Sequence, residues 1–206
     1  MHTPSVEFLF DFGSPNAYFC HKVIPGIEAR TGVKFRYVPV LLGGLFKLAN
    51  NRSPAEAFAD IPKKRAYDQM EIERFIRKHG LTAYRRNRFF PVNTLAIMRG
   101  AVAAQRLGCF ERYVDAVYAG MWEKSLNLSD VAIITSELTQ AGLDASAILQ
   151  GMQEQSVKDE LLANTQQAYE RGAFGSPFFL VGTEMFFGKD RLREVEDEIL
   201  RQSTGR

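Results

Sequence analysis

The stretch Phe10-Asp-Phe-Gly-Ser-Pro-Asn-Ala17 carries the strongest chemical signal in the chain. A dense apolar run stops at Gly13, and Ser14-Pro15 opens a helix. Serine is a favoured N-cap, and proline at the first helical position forgoes only an N–H that has no partner there. Such a helix start offers free N–H groups and partial positive charge, which stabilise an anion such as a thiolate. The chain brings no thiol to that point, because positions 14–17 read Ser-Pro-Asn-Ala. Neither of the two cysteines replaces it: Cys20 falls on the buried stripe predicted for the helix, and Cys109 lies far along the chain. Dithiol exchange is therefore excluded here, and a sulfur anion must arrive with a ligand. A free thiol with a pKa of about 8.5 is only slightly ionised at neutral pH, and lowering that pKa by about two units, roughly 2.7 kcal/mol, makes it mostly thiolate. The Ser14 hydroxyl can donate one of the hydrogen bonds such a shift requires.

The elements that must position this corner are legible. Residues 6–12 are rich in aromatic and branched side chains and read as a buried strand. Ala17, Cys20, Ile24 and Ile27 recur at helical spacing, with Pro25 expected to kink that helix. Thr31-Gly32 breaks it, and residues 34–40 alternate like a half-exposed strand in which Pro39 predicts an end or an edge. From about 43 to 172 there is no convincing strand. Helices are expected from Ser53-Pro54, over 63–78 with a stop at His79-Gly80, from after Asn93 to Gly108, and over 111–124, 129–142, 144–153 and 156–171, each behind a capping-type residue. Residues 178–181 and 184–187 then read as a hairpin around Gly182-Thr183, whose glycine suits a type II′ turn, and Gly188-Lys-Asp190 leads into a last helix.

Composition sets the outer limits. At 206 residues the chain fits one domain, or one domain with a sizeable insertion. A formal net charge of +2 is too small for a nucleic-acid footprint. No membrane span or signal peptide is read, so a cytoplasmic location is expected. Two distant cysteines and three scattered histidines, His2, His21 and His79, give no disulfide framework and no metal site.

The order βαβ, helices, ββα is an α/β pattern similar to the thioredoxin layout interrupted between its halves. It predicts a thioredoxin-like domain from 1–42 and 173–206, with helix 156–171 packed on it, and an all-helical insertion over 43–155. In thioredoxin folds the corner before the hairpin holds a cis-proline that faces the active helix. Gly175-Ser176-Pro177 occupies that position, so Pro177 is expected cis, with the Ser176 backbone free to pair with an extended peptide ligand such as glutathione.

With Leu42-Gly-Gly-Leu-Phe-Lys47, Asn51, Pro62-Lys-Lys64, Pro91-Val-Asn-Thr94, Gly172-Ala-Phe-Gly-Ser-Pro177 and Phe187-Gly-Lys-Asp-Arg-Leu192, the chain resembles the 2-hydroxychromene-2-carboxylate isomerases and kappa-class glutathione transferases of the DsbA-like group. The resemblance implies glutathione as cofactor, a small aromatic carboxylate as substrate, and a homodimer. It implies that Ser14 hydrogen-bonds the glutathione sulfur, that Ser176 and Pro177 hold the tripeptide backbone, that Asp190 with Lys189 meets the γ-glutamyl end, and that Asn51 and Lys64 reach the glycyl side. It also implies thiolate addition to a conjugated substrate, rotation about the bond made single, and elimination. Ser176 departs from the larger apolar residue frequent in the family. For the substrate, Phe89, Phe90, Asn93 and Trp122 are the expected walls.

Plainer readings apply to some of these residues. Asp190 and Asn93 suit helix caps, Trp122 suits a core, Arg85-Arg86-Asn87-Arg88 suits a solvated loop, and both cysteines suit inert packing. A glutathione-dependent isomerase ranks first among the functions, ahead of a kappa-type transferase or peroxidase and a non-catalytic thiol-peptide binder. The short hairpin turn resembles the isomerases.

Overall fold

The computed structural model describes residues 4–204; His2 and the outermost ends of the predicted domain range lie outside them. Four strands form one sheet in the order β2-β1-β3-β4. Its central strand β1 (Val6–Phe10) is buried throughout, as a continuous apolar run requires. It pairs in parallel with β2 (Phe35–Pro39) and antiparallel with β3 (Phe178–Val181), which turns back into β4 (Glu184–Phe187). Pro39 satisfies both expectations at once, since β2 is an edge strand and Pro39 is its last residue. Gly182 has φ 59° and Thr183 keeps a negative φ, the pattern of a II′ turn.

Side chains alternate across β1. Val6, Phe8 and Phe10 enter one core with helix α1 (Pro15–Thr31), α5 (Leu95–Arg106), α6 (Phe110–Trp122) and α10 (Leu192–Thr204), whereas Leu9 packs on the opposite face with Leu45 and Ala168. Those last two residues belong to α2 (Leu42–Leu48) and α9 (Gln155–Glu170). Glu7 shares the second face, and its buried carboxylate is bracketed by Arg36 at 2.8 Å and Arg171 at 2.7 Å. The first core runs without interruption from the sheet into the helices between β2 and β3.

Local signals and structure agree at α1. Ser14 is its N-cap and accepts from the Ala17 amide, Pro15 starts it, and Gly32 closes it at φ 70°. The helix runs unbroken through Pro25. Helices α3 (Pro54–Ala57), with a Ser53–Glu56 capping box, and α4 (Pro62–His79), ended by Gly80, follow the expected punctuation. Helices α7 (Val131–Gln140) and α8 (Ala145–Gly151) are capped by Asp130 and Asp144.

Some expectations need correction. Helix α2 forms through Gly43-Gly44, a pair whose low propensity hides a helix that contact with α9 stabilises. The N-cap positions of α6 and α9 are Cys109 and Glu154, and neither side chain caps. Thr94, not Asn93, is the α5 cap residue, although the Asn93 side chain accepts from the Leu95 amide. Asp190 lies in a 3-10 turn, Lys189–Arg191, ahead of α10 and does not cap that helix. Among the described residues no helix is long and apolar enough to cross a membrane.

Candidate active site at the Ser14 corner

Strand β1 delivers the chain to Asp11, whose buried carboxyl organises the turn into α1. It accepts from the amides of Gly13 and Leu42, 2.8 Å each, and from the Thr94 side chain. Burial pushes this carboxyl up, against the three hydrogen bonds that favour its charged form. Gly13 leaves little space for a side chain: a Cβ there would lie 3.2 Å from both Asp11 Oδ1 and Thr94 Cγ2. The backbone amide of Asp11 donates to Ser176 Oγ at 3.2 Å, and that hydroxyl donates to Leu9 O at 3.3 Å. The serine at position 176 is thus a polar rivet between β1 and the loop before β3.

Ser14 completes the corner. Its Oγ donates to Ser176 O at 3.0 Å and accepts from the Ala17 amide at 3.2 Å, and the side chain is buried. The Ser176–Pro177 peptide is cis, as expected for this corner. Among the described residues, the amides of Asn16 and Ser176 donate to no group of the chain. Two backbone N–H donors and the Ser14 hydroxyl are therefore grouped around the amino end of α1, next to the Ser176 carbonyl. That donor set suits an anionic sulfur and a peptide strand lying alongside.

The other expected residues lie at different removes. Asn51 donates to Phe174 O at 3.1 Å, tying the segment after α2 to the loop that carries Ser176. Pro177 O accepts from the Gly188 amide at 3.1 Å, which places the Lys189–Arg191 turn beside the same loop. Within that turn Lys189 is buried, 2.6 Å from Asp190 Oδ1 and 5.3 Å from the Phe75 ring centroid, while the Asp190 side chain stays open to solvent. Lys64, in the first turn of α4, pairs with Asp68 and sits over the Phe58 ring; none of its contacts reaches Ser14. Phe89, Phe90 and Asn93 are exposed.

Trp122 requires a correction. It is 1% exposed, and its indole N–H donates to Phe12 O at 2.8 Å, so it is core behind the corner and offers no open wall. Cys20 is fully buried, and burial pushes its thiol well up, with Lys189 opposing. His21 sits between Tyr37 Oη at 3.0 Å and Asp115 Oδ1 at 2.9 Å, joining α1 to β2 and α6.

Residues 5–200 match the family described as DSBA-like thioredoxin domain. The chain belongs to that family. This DSBA-like chain is 28% identical over 200 residues to a 2-hydroxychromene-2-carboxylate isomerase of Sphingobium xenophagum, covering 96% of this chain and 99% of that one. It is 24% identical over 217 residues to glutathione S-transferase kappa 1 of Caenorhabditis elegans, covering 94% and 90%. A solved 2-hydroxychromene-2-carboxylate isomerase has the same fold, with TM-score 0.79 at 23% identity over 97% of this chain and 98% of the other. The corner between β1 and α1 carries Ser14 and no cysteine.

Sequence reasoning passed over Asp11, Asn16 and Thr94. An aspartate that ends an apolar strand looks like a terminator, yet a charge placed between Phe10 and Phe12 was the one signal that it has buried partners.

Proposed function

We propose that this chain is a glutathione-dependent isomerase interconverting 2-hydroxychromene-2-carboxylate and trans-o-hydroxybenzylidenepyruvate, with Ser14 as its catalytic residue. The observation that carries the reading is the grouping of the Ser14 hydroxyl and the Asn16 and Ser176 amides opposite cis-Pro177, with no sulfur from the chain itself. Glutathione, when bound, supplies the sulfur nucleophile. The Ser14 hydroxyl then rotates from Ser176 O to the sulfur, and the Asn16 amide and the helix dipole add to the stabilisation of the anion. That rotation frees the Ser176 carbonyl, which with the Ser176 amide offers a β-type acceptor and donor to the ligand's main chain. Asp190 keeps an open carboxylate for the γ-glutamyl ammonium, with buried Lys189 fixing its orientation. Asn51 and, on release from Asp68, Lys64 serve the glycyl carboxylate.

The two-residue turn at Gly182-Thr183 favours this over a kappa-type transferase or peroxidase. The reading includes a cytoplasmic location and a homodimer, and molar mass by light scattering at micromolar concentration tests the dimer. The decisive experiment follows the ultraviolet spectrum of 2-hydroxychromene-2-carboxylate with protein, with and without glutathione. Turnover that requires the thiol is expected. A protein whose thermal transition is unmoved by millimolar glutathione would end this reading in favour of another thiol ligand or a non-catalytic role.

A further inference from the structure

Three arginines crowd the loop that leads to Phe89 and Phe90, and they are not equivalent. Arg85 commits its guanidinium to the carbonyls of Thr82 and Tyr84, 2.8 Å each. Arg88 uses only its backbone amide on the chain, donating to Ser125 Oγ at 2.9 Å. Its guanidinium lies over the Phe89 ring, 4.8 Å from the centroid, and among the described residues it meets no carboxylate. Some exposed arginines find an acid, as Arg30 finds Glu196 and Arg106 finds Glu160, and what sets Arg88 apart is the open ring beneath its guanidinium.

The segment is fixed in place. Asn87 is 2% exposed, donates to the carbonyls of Met121 at 2.9 Å and Leu126 at 2.8 Å, and accepts from the Phe89 amide. It also borders the Ser14 corner: the Phe90 ring lies 6.0 Å from Trp122, whose N–H is spent on Phe12 O, and Thr94 hydrogen-bonds Asp11. Phe89 and Phe90 remain 41% and 38% exposed. A cation over an open aromatic ring, one residue before a second exposed phenylalanine, offers a flat ligand both an apolar face and a partner for an anion at its edge. Guanidinium meets carboxylate in a two-pronged geometry, and the neighbouring rings accept an aromatic face.

We propose that Arg88 is the carboxylate-recognising residue of this site and makes it select aromatic acids over neutral aromatic compounds of the same shape. The proposal rests on the function above for the reaction that follows binding, and its test needs no turnover. Trp122 is the single tryptophan of the chain, so its fluorescence reports ligand at Phe90. 2-Hydroxychromene-2-carboxylate and its methyl ester are titrated into wild type, Arg88→Ala, Arg88→Lys and Arg86→Ala without glutathione.

Wild type should favour the acid by about tenfold or more, the strength of a charge-assisted pair. Arg88→Ala should bind acid and ester alike, Arg88→Lys should regain part of the preference, and Arg86→Ala should keep it. Retention of the preference in Arg88→Ala overturns the proposal, as does a wild type that shows no preference or binds neither compound. Thermal shift with glutathione is measured alongside, because its loss from wild type counts against the glutathione reading and leaves the result for Arg88 to be judged by itself.

Discussion

Ser14 Oγ and the carbonyl of Ser176 are joined by a 3.0 Å hydrogen bond between residues 162 positions apart. The contact locks the amino end of α1 to the cis-proline loop, and it holds within the chain both the proton and the acceptor that an incoming thiol peptide would use. Under the proposed function, binding at this corner would exchange an internal hydrogen bond for ligand contacts, and Ser14 would serve both fold and chemistry.

Ser14→Ala separates the two roles. Loss of the N-cap and of the bond to Ser176 should lower stability by about 2 kcal/mol, a few degrees in Tm, with the circular dichroism spectrum unchanged. Isomerase turnover should fall about a hundredfold or more, as for removal of one donor from a developing anion. The ultraviolet absorbance of bound thiolate, titrated against pH, should move to higher pH. A variant that ionises bound glutathione as wild type does would remove Ser14 from the chemistry.

The thiols of the chain should be dispensable. Cys20 is buried with its thiol pushed well up, and Cys109 is only partly buried. In the native protein a thiol reagent should leave Cys20 unmodified until denaturant is added, as peptide mass mapping will detect. Cys20→Ala should keep glutathione-dependent turnover within about twofold while losing stability for the smaller core volume. Loss of turnover in a folded variant would mean that sulfur from the chain takes part.

Glu7 predicts how stability depends on acid. Burial pushes its carboxyl up, but the hydrogen bonds and charges of Arg171 and Arg36 outweigh this and hold it below its ordinary value of 4.5. A carboxyl lowered in the fold contributes stability that is complete above the unfolded value and lost as pH falls through the folded one. Glu7→Gln should therefore cost about 2 kcal/mol at neutral pH. Urea unfolding of variant and wild type should converge as the pH drops below 4.5. Parallel curves across that range would show that the two arginines do not act through the charge of Glu7.

Gly100 of α5 faces Tyr113 of α6 with no room for a side chain. A Cβ there would strike the hydroxyl of Tyr113, which is committed to Ile97 O at 2.7 Å, and the terminal carbon of Met152. Gly100→Ala should destabilise by about 1–3 kcal/mol despite the better helix propensity of alanine. Thermal unfolding measures it, and an unchanged or raised Tm would show that the helices separate at little cost.

Much was legible in the chain itself because its determinants are local. The apolar run of β1, Ser14-Pro15 as a helix start, the stops at Gly32 and Gly80, and the Gly182-Thr183 turn each state their conformation through neighbours a few residues away. Those elements in that order fixed the βαβ and ββα halves and placed Ser14 at a helix start that lacks sulfur. Only the tertiary structure decided that Asp11 gathers Leu42 and Thr94, that Trp122 turns inward to Phe12, and that α2 forms through two glycines. These depend on partners dozens of residues distant. A hydrogen bond or a packed face across that separation leaves no period or cap in the sequence, so it exists as information only once the chain has folded.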